Sequence, residues 1–306
     1  MHTFSHIHVV GDLNLDIVLS GLKDFPALGK ERLAGDCIVK PGGSAANVAI
    51  MLALNRCPVR LFAQTGSDET GSFLLKQIQR YGLQTDTISL SNSAATGLTI
   101  SLTYPEDRIY ITYPGCVAEM NRKDLTHRYI EKDAHLHLAS FFLQTSLQKD
   151  FGSILREAKA AGMSTSLDPG SDTEETWNTT ELIDNLEFLD YFMPSSDEIC
   201  ALTGSLTVHD ALNAFPQKAR VVVVKAGAHG AVTRRQGIIE HHPAIPVAAV
   251  DSTCAGDCFD AGFLYGLYQG KTFRGAVQRG IEFGTQAVTT LGLPSERIET
   301  FLKELT

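Results

Sequence analysis

The segment Asp251-Ser252-Thr253-Cys254-Ala255-Gly256-Asp257 sets a carboxylate in the first turn of an expected helix. Phe259, Phe263 and Leu267 recur there at i, i+4 and i+8, and Gly262 and Gly266 permit close packing. A helix N-terminus offers free backbone N–H groups and the positive end of the dipole, so it can hold an anion. Ala255 and Gly256 keep that backbone approachable, and Asp257 stands beside the place where the anion would lie. An anion cradle touching a base is what phosphoryl transfer to a hydroxyl requires. The competing reading makes Asp257 an ordinary helix acid favoured by the dipole.

Four further segments carry groups of the right kind. Gly42-Gly43-Ser44-Ala45-Ala46-Asn47 puts small residues at a helix start, with an amide one turn in that can bind hydroxyls. Taken alone, it reads equally as a turn and a tightly packed helix. Asn14 and Asp16 share one face of an extended segment after the first strand, where polar side chains point into a ligand crevice. Asp12 reads as part of a solvated turn. Ser195-Ser196-Asp197-Glu198 is a capping box. Val221–Lys225 reads as a buried strand running into the glycine turn Gly227 to Gly230, with Lys225 placed to meet phosphate or solvent.

The order of these segments resembles the ribokinase-like (PfkB) carbohydrate kinases. Residues 251–257 are similar to the family signature Asp-Thr-x-Gly-Ala-Gly-Asp, with Ser252 for Thr and Cys254 for Gly; residues 42–47 match Gly-Gly-x-x-x-Asn. The resemblance implies that Asp257 is the base and that the N–H groups of Cys254, Ala255, Gly256 and Asp257 form the anion hole. It implies that Asn14, Asp16, Gly42, Gly43 and Asn47 hold the acceptor. Ser195 and Glu198 resemble the family's Asn-x-x-Glu, which implies contact with phosphates and, through water, with Mg2+. Lys225, Gly227 and Gly230 resemble the nucleotide-binding strand end, and Asp251 lies where some relatives bind a monovalent cation such as K+. Ser195 and Cys254 depart from the pattern. A Cys at position 254 preserves the cradle if its φ is negative; a positive φ means strain or a reshaped site.

The elements that must position these groups alternate along the chain. Strand-like runs at Ile7–Val10, Val59–Gln64, Met163–Leu167, Phe188–Met193, Arg220–Lys225 and Ile245–Val250 intersperse with helix-like runs at 43–54, Gly71–Tyr81, Leu147–Ala161 and Gly275–Leu291. That rhythm predicts a mostly parallel central sheet flanked by helices; the resemblance implies that this α/β fold is of the ribokinase-like class. Thr96–Tyr104 and Arg108–Tyr113 alternate strictly around Pro105-Glu106-Asp107, a hairpin signature. With Leu13–Ser20 and Arg32–Val39 they predict a small second sheet, either a lid or an edge extension. The expectation is one ribokinase-like domain over 1–306, its lid built from about 13–40 and 96–115.

The 306 residues are 43% hydrophobic and 20% charged, with formal net charge −9 and no dense basic block, which disfavours a nucleic-acid surface. No signal peptide and no apolar run of roughly 20 residues is found, so no membrane partner is expected. The six cysteines show no Cys-x-x-Cys pair and no histidine clustering, which points to reduced thiols, a cytoplasmic protein and no zinc. His241 and His242 read as surface loop residues. Gly266 to Thr272 imitates a Walker A loop with one residue too few between its glycines, at a helix end, and is rejected. The resemblance implies an ATP- and Mg2+-dependent kinase acting on a hydroxyl of a sugar or sugar-like molecule. A nucleoside kinase of the same fold and a catalytically silent sugar-binding relative are the alternatives. The lid's apolar face offers a homodimer contact.

Overall fold

A computed structural model describes residues 4–104, 108–125, 127–177, 179–290 and 292–305; the expected turn at 105–107 lies outside the described residues. Thirteen strands are assigned: β1 (His6–Val10), β2 (Asn14–Ser20), β3 (Asp36–Gly42), β4 (Val59–Gly66), β5 (Ile88–Ser91), β6 (Leu98–Thr103), β7 (Arg108–Tyr113), β8 (Ala134–Ala139), β9 (Ser164–Asp168), β10 (Tyr191–Phe192), β11 (Val221–Lys225), β12 (Ala231–Arg235) and β13 (Ile238–His242). Nine of them form one sheet in the order β13-β12-β11-β10-β9-β8-β1-β4-β5. Its pairings are parallel except at β11–β12 and β12–β13. Two apolar clusters cover its faces. One gathers Ile7, Val9, Met51 and Phe263 under the helices Ser44–Leu54 and Ala255–Tyr268; the other gathers Phe62, Leu136, Phe192 and Phe215. Such burial on both faces is what a parallel sheet requires.

The Ala255–Tyr268 helix packs closely against Phe273–Val288 because its glycines face that neighbour. A Cβ on Gly266 would stand 2.8 Å from the Ala276 Cα. The Walker-like segment spans the junction of these two helices, and Thr272 caps the second through Gly275 N–H.

The remaining four strands form the separate small sheet β3-β2-β6-β7. β3 lies four residues later than its expected start at Arg32, because its pairing is set by β2, with Asn14 opposite Gly42 and Ser20 opposite Asp36. Four other expectations are corrected. Ile245–Val250 is not a strand; Pro246 lacks the N–H that a ladder needs. Phe188–Met193 is a strand only at β10, preceded by a 3-10 turn at Leu186–Phe188. Leu147–Ala161 splits into Thr145–Gln148 and Phe151–Ala160. His241 and His242 are not loop residues but lie in β13, where His242 is buried against the Thr233 hydroxyl at 3.1 Å. No helix among the described residues is long and apolar enough to cross a membrane.

Candidate active site

Parallel strands end on one side of the sheet, and the polar groups collect there. Asp12, just past β1, is not solvated: it is buried, with Oδ1 accepting from Ala45 N–H at 3.0 Å and the Ser140 hydroxyl at 2.8 Å. Its Oδ2 accepts from Ser44 N–H at 3.2 Å, so Asp12 caps the Ser44–Leu54 helix from a distant part of the chain. Gly43 turns the chain into that helix at φ 99, and a Cβ there would lie 2.8 Å from the Asp12 carbonyl oxygen. Gly42 is required for another reason: a Cβ on it would fall on the Asp16 carboxylate. Burial pushes the Asp16 carboxyl up to about 6, against the pull of Lys40. Asn14 is buried with Oδ1 lacking a hydrogen-bond partner.

The two glycine-containing segments meet. Asn47 Nδ2 donates to Asp257 Oδ2 at 2.7 Å, joining the start of one helix to the first turn of the other. Desolvation pushes Asp257 up to about 7, although the Asn47 bond favours its charged form. No side chain caps the Ala255–Tyr268 helix, which leaves its first N–H groups for an anion. Its N-cap, Cys254, is left-handed at φ 55 and ψ 9, the conformation that suits glycine. The positive φ answers the question the sequence left open: Cys254 sits under backbone strain.

Lys225, at the end of β11, is not a solvated strand-end lysine. Its ammonium is buried between Asp168 Oδ2 at 2.8 Å and Asp260 Oδ2 at 2.9 Å. Burial opposes its charge, but Asp168, Asp260 and Glu198 outweigh that and raise its pKa. At Asp168 desolvation is the largest single effect, but the Lys225 charge together with the hydrogen bonds to Asp260 and Lys225 holds its carboxyl low, while burial pushes Asp260 well up. The ammonium also borders the cradle, its Nζ 3.7 Å from where a Gly256 Cβ would stand. Ser195 and Glu198 form the expected capping box: Glu198 Oε2 accepts from Ser195 N–H at 2.8 Å, and Ser195 Oγ accepts from Glu198 N–H at 3.2 Å. Burial and the nearby Asp168 charge push Glu198 up to about 7.

Asp251 faces inward. Its Oδ1 accepts from Thr253 N–H and hydroxyl at 2.8 and 2.6 Å, its Oδ2 from Gly292 N–H at 3.1 Å. Arg108, from β7, stands 3.6 Å from Asp251 Oδ1 and donates to Ser252 Oγ at 2.6 Å. A guanidinium already occupies this carboxylate's field, so the geometry offers no support for Asp251 as a direct K+ ligand. Between the glycine turn and the cradle lies a largely apolar cavity of about 330 Å³, lined among others by Gly227, Gly230, Ile245, Val247, Gly256 and Phe259.

Asp12, Asp168 and Asp260 were not singled out from the sequence. A polar residue at the carboxyl end of a parallel strand marks Asp12 and Asp168 by the criterion that found Asp16. Asp260 carries no such signal, because it lies inside an apolar helix.

The pfkB family carbohydrate kinase profile matches residues 5–299. The chain belongs to that family, and is a phosphotransferase acting on sugars. A Bacillus subtilis 2-dehydro-3-deoxygluconokinase is 27% identical over 85% of this chain and 86% of its own. Thermotoga maritima ribokinase has 29% identity and a TM-score of 0.81, covering 98% of this chain and 100% of its own. An Escherichia coli protein solved with ATP and Mg2+ has 24% identity and a TM-score of 0.84 over 98% of this chain and 99% of its own. These likenesses establish the ribokinase-like fold.

Proposed function

We propose that this kinase transfers the γ-phosphoryl group of ATP to a hydroxyl of a free or modified sugar, with Asp257 as base. The observation that carries the reading is the 2.7 Å bond from Asn47 to Asp257, which brings acceptor-side and phosphate-side segments to one carboxylate. Asp257 takes the hydroxyl proton as the oxygen attacks phosphorus; the bond to the β–γ bridging oxygen breaks and ADP leaves. N–H groups of residues 254–257 stabilise charge on the moving phosphoryl group. A carboxyl near 7 is half deprotonated at neutral pH, a state suited to this task.

Asp16, Asn14 and Asn47 grip the acceptor, with Gly42 and Gly43 leaving room for it. The unpartnered Asn14 Oδ1 supports this, since a sugar hydroxyl would satisfy it. The nucleotide lies along Gly227, Gly230 and the apolar cavity, whose volume and lining suit a purine. Mg2+ fits beside Glu198, which has a second carboxylate oxygen free of the capping bond, and supplies charge neutralisation on the phosphates. Ser195 acts as a helix cap, and Lys225 as a fixed positive charge behind the cradle. The small sheet acts as a lid, tied to the signature by Arg108.

A coupled ADP-release screen across pentoses, hexoses, phosphosugars and nucleosides tests the reading, with Asp257→Asn in parallel. A sugar that drives turnover in the parent, reduced by roughly two to four orders of magnitude in the variant, is expected. Turnover confined to nucleosides would replace the acceptor class; near-normal turnover in Asp257→Asn would remove the base; ligand binding without turnover would leave a silent relative.

A further inference from the structure

At the opposite end of β1 from the kinase site, the structure assigns a binding site for one divalent transition-metal ion of the zinc type to His6, His8 and Glu131. His6 and His8 are two apart on β1 and so share a face of the strand, their ring centroids 4.9 Å apart. Glu131 precedes β8, the parallel neighbour of β1, in a turn closed by Ala134 N–H on the Glu131 carbonyl. One carboxylate oxygen, Glu131 Oε2, faces His6 Nε2 at 3.4 Å and His8 Nε2 at 3.5 Å. One ligand atom from each residue can lie within 4.8 Å of the others. Ligands about 2.0–2.2 Å from a tetrahedral centre stand about 3.4 Å from one another, and the two His–Glu distances match that spacing.

The hydrogen bonds behind the rings fix which nitrogen is available. His8 Nδ1 lies 2.9 Å from the Tyr129 carbonyl oxygen, which only accepts, so Nδ1 carries hydrogen. His6 Nδ1 lies 2.8 Å from Ser5 Oγ, whose own hydrogen goes to the Asp133 carbonyl at 3.3 Å; the hydroxyl oxygen therefore accepts from the imidazole. Both Nε2 atoms are left as lone-pair donors, and both are buried without a hydrogen-bond partner. His8 has no exposed surface. Two lone pairs aimed at a carboxylate oxygen repel it, unless a metal ion or an added proton sits among them. Nδ1–H bonded to a carbonyl or hydroxyl, with Nε2 on the metal, is how metal-binding histidines are commonly held.

Access and chemistry agree. A surface hollow of about 480 Å³, lined by His6, Cys57, Arg60, Gln84 and Glu131 among others, opens beside His6 and Glu131, with His8 buried behind them. Two imidazoles and a carboxylate select zinc and its first-row neighbours rather than Mg2+, which prefers an all-oxygen shell. The ion would fasten β1 to the turn leading into β8, away from Asp12, Ser140 and Asp168 at the other strand ends.

Chelator-treated, full-length protein titrated with Co2+ tests the site through the visible spectrum of four-coordinate cobalt. One ion per chain is expected, displaced by Zn2+ and not by Mg2+, with Zn2+ raising the melting temperature. His6→Ala and Glu131→Gln, at partly and well exposed positions, should keep the circular dichroism of the parent. Each should weaken Co2+ binding by more than about tenfold. An absent cobalt spectrum would overturn the assignment and leave a His–Glu contact; so would equal binding in both variants, which would place the metal on other residues such as the thiols.

Discussion

Cys254 is where the chain departs from its family at the most constrained position. A left-handed residue with a side chain costs about 1–2 kcal/mol, whereas glycine in its place adds about 0.4–1 kcal/mol of unfolded-chain entropy. The strain outweighs the entropy, so Cys254→Gly is expected to stabilise the fold by about 0.5–1 kcal/mol in urea denaturation. An unchanged or lower midpoint would show that the thiol makes a compensating contact. Asp257 carries the opposite tension. Its folded pKa of about 7 lies above the ordinary carboxylate value, so the folded state holds a proton that the unfolded chain releases. Its contribution to stability is complete at acid pH and is lost as pH rises through about 7. Asp257→Asn should therefore gain melting temperature over the parent at pH 8 and little at pH 5. In the parent, kcat/KM should climb as pH passes about 7, because the base works only when deprotonated. A flat profile from pH 6 to pH 8 would take proton abstraction away from this carboxyl. Asp257 and Asn47 were legible in the sequence because each sits in a short glycine-rich segment whose local pattern carries the chemistry. The charge cluster of Asp168, Lys225 and Asp260 was not. Its members come from β9, β11 and a helix, and only the parallel order of the strands brings them together.

At the scale of elements, the small sheet sets the acceptor side of the site. β2 carries Asp16 and β3 ends on Gly42, so the carboxylate occupies the space that any side chain at 42 would need. Gly42→Ala should displace Asp16 and raise the sugar KM roughly tenfold to a hundredfold, the worth of one hydrogen bond to a charged group. The KM for ATP should barely move. Equal losses for both substrates would mean that the helix after Gly43 had shifted instead. Strands with a clear apolar pattern were recognised from sequence; β8 was missed because His135 and His137 interrupt it. In the fold both rings are buried and bonded to Ser164 and Ser166 hydroxyls of β9 at 2.7 Å, which satisfies both ring nitrogens of His135 and Nδ1 of His137 across strands, while His137 Nε2 has no partner. β12 hid in the same way. Arg234 is buried and donates to the carbonyls of Leu212 and Phe215, both at 2.6 Å, a pairing no local pattern announces.

For the whole molecule, the register of the small sheet decides what its outer face is for. Val39, Ile17, Ile100 and Ile111 stand in one cross-strand row, flanked by rows through Leu15, Leu98 and Tyr113 and through Leu19, Leu102 and Ile109. Asp16 belongs to the alternate set, as do its partners Lys40 and Thr99, so the apolar rows face away from the acceptor site. Val39, Ile111 and Tyr113 remain 48%, 52% and 50% exposed, a concentration that isolated surface residues do not explain. Leu15 packs against the main core and the β2 and β6 members of the rows are half-buried, so the exposed part is the β3 and β7 edges. A second copy offers a complementary apolar face related by a two-fold axis, and we expect a homodimer built on it. Sedimentation should give a dimer for the parent and a monomer for Ile111→Glu, since a carboxylate in the central row would be buried unpaired. Because Arg108, on the same strand as Ile111, links this sheet to Ser252, loss of the dimer should also raise the sugar KM while leaving the thermal midpoint of the main sheet nearly unchanged. A monomeric parent at working concentrations would exclude this role for the face.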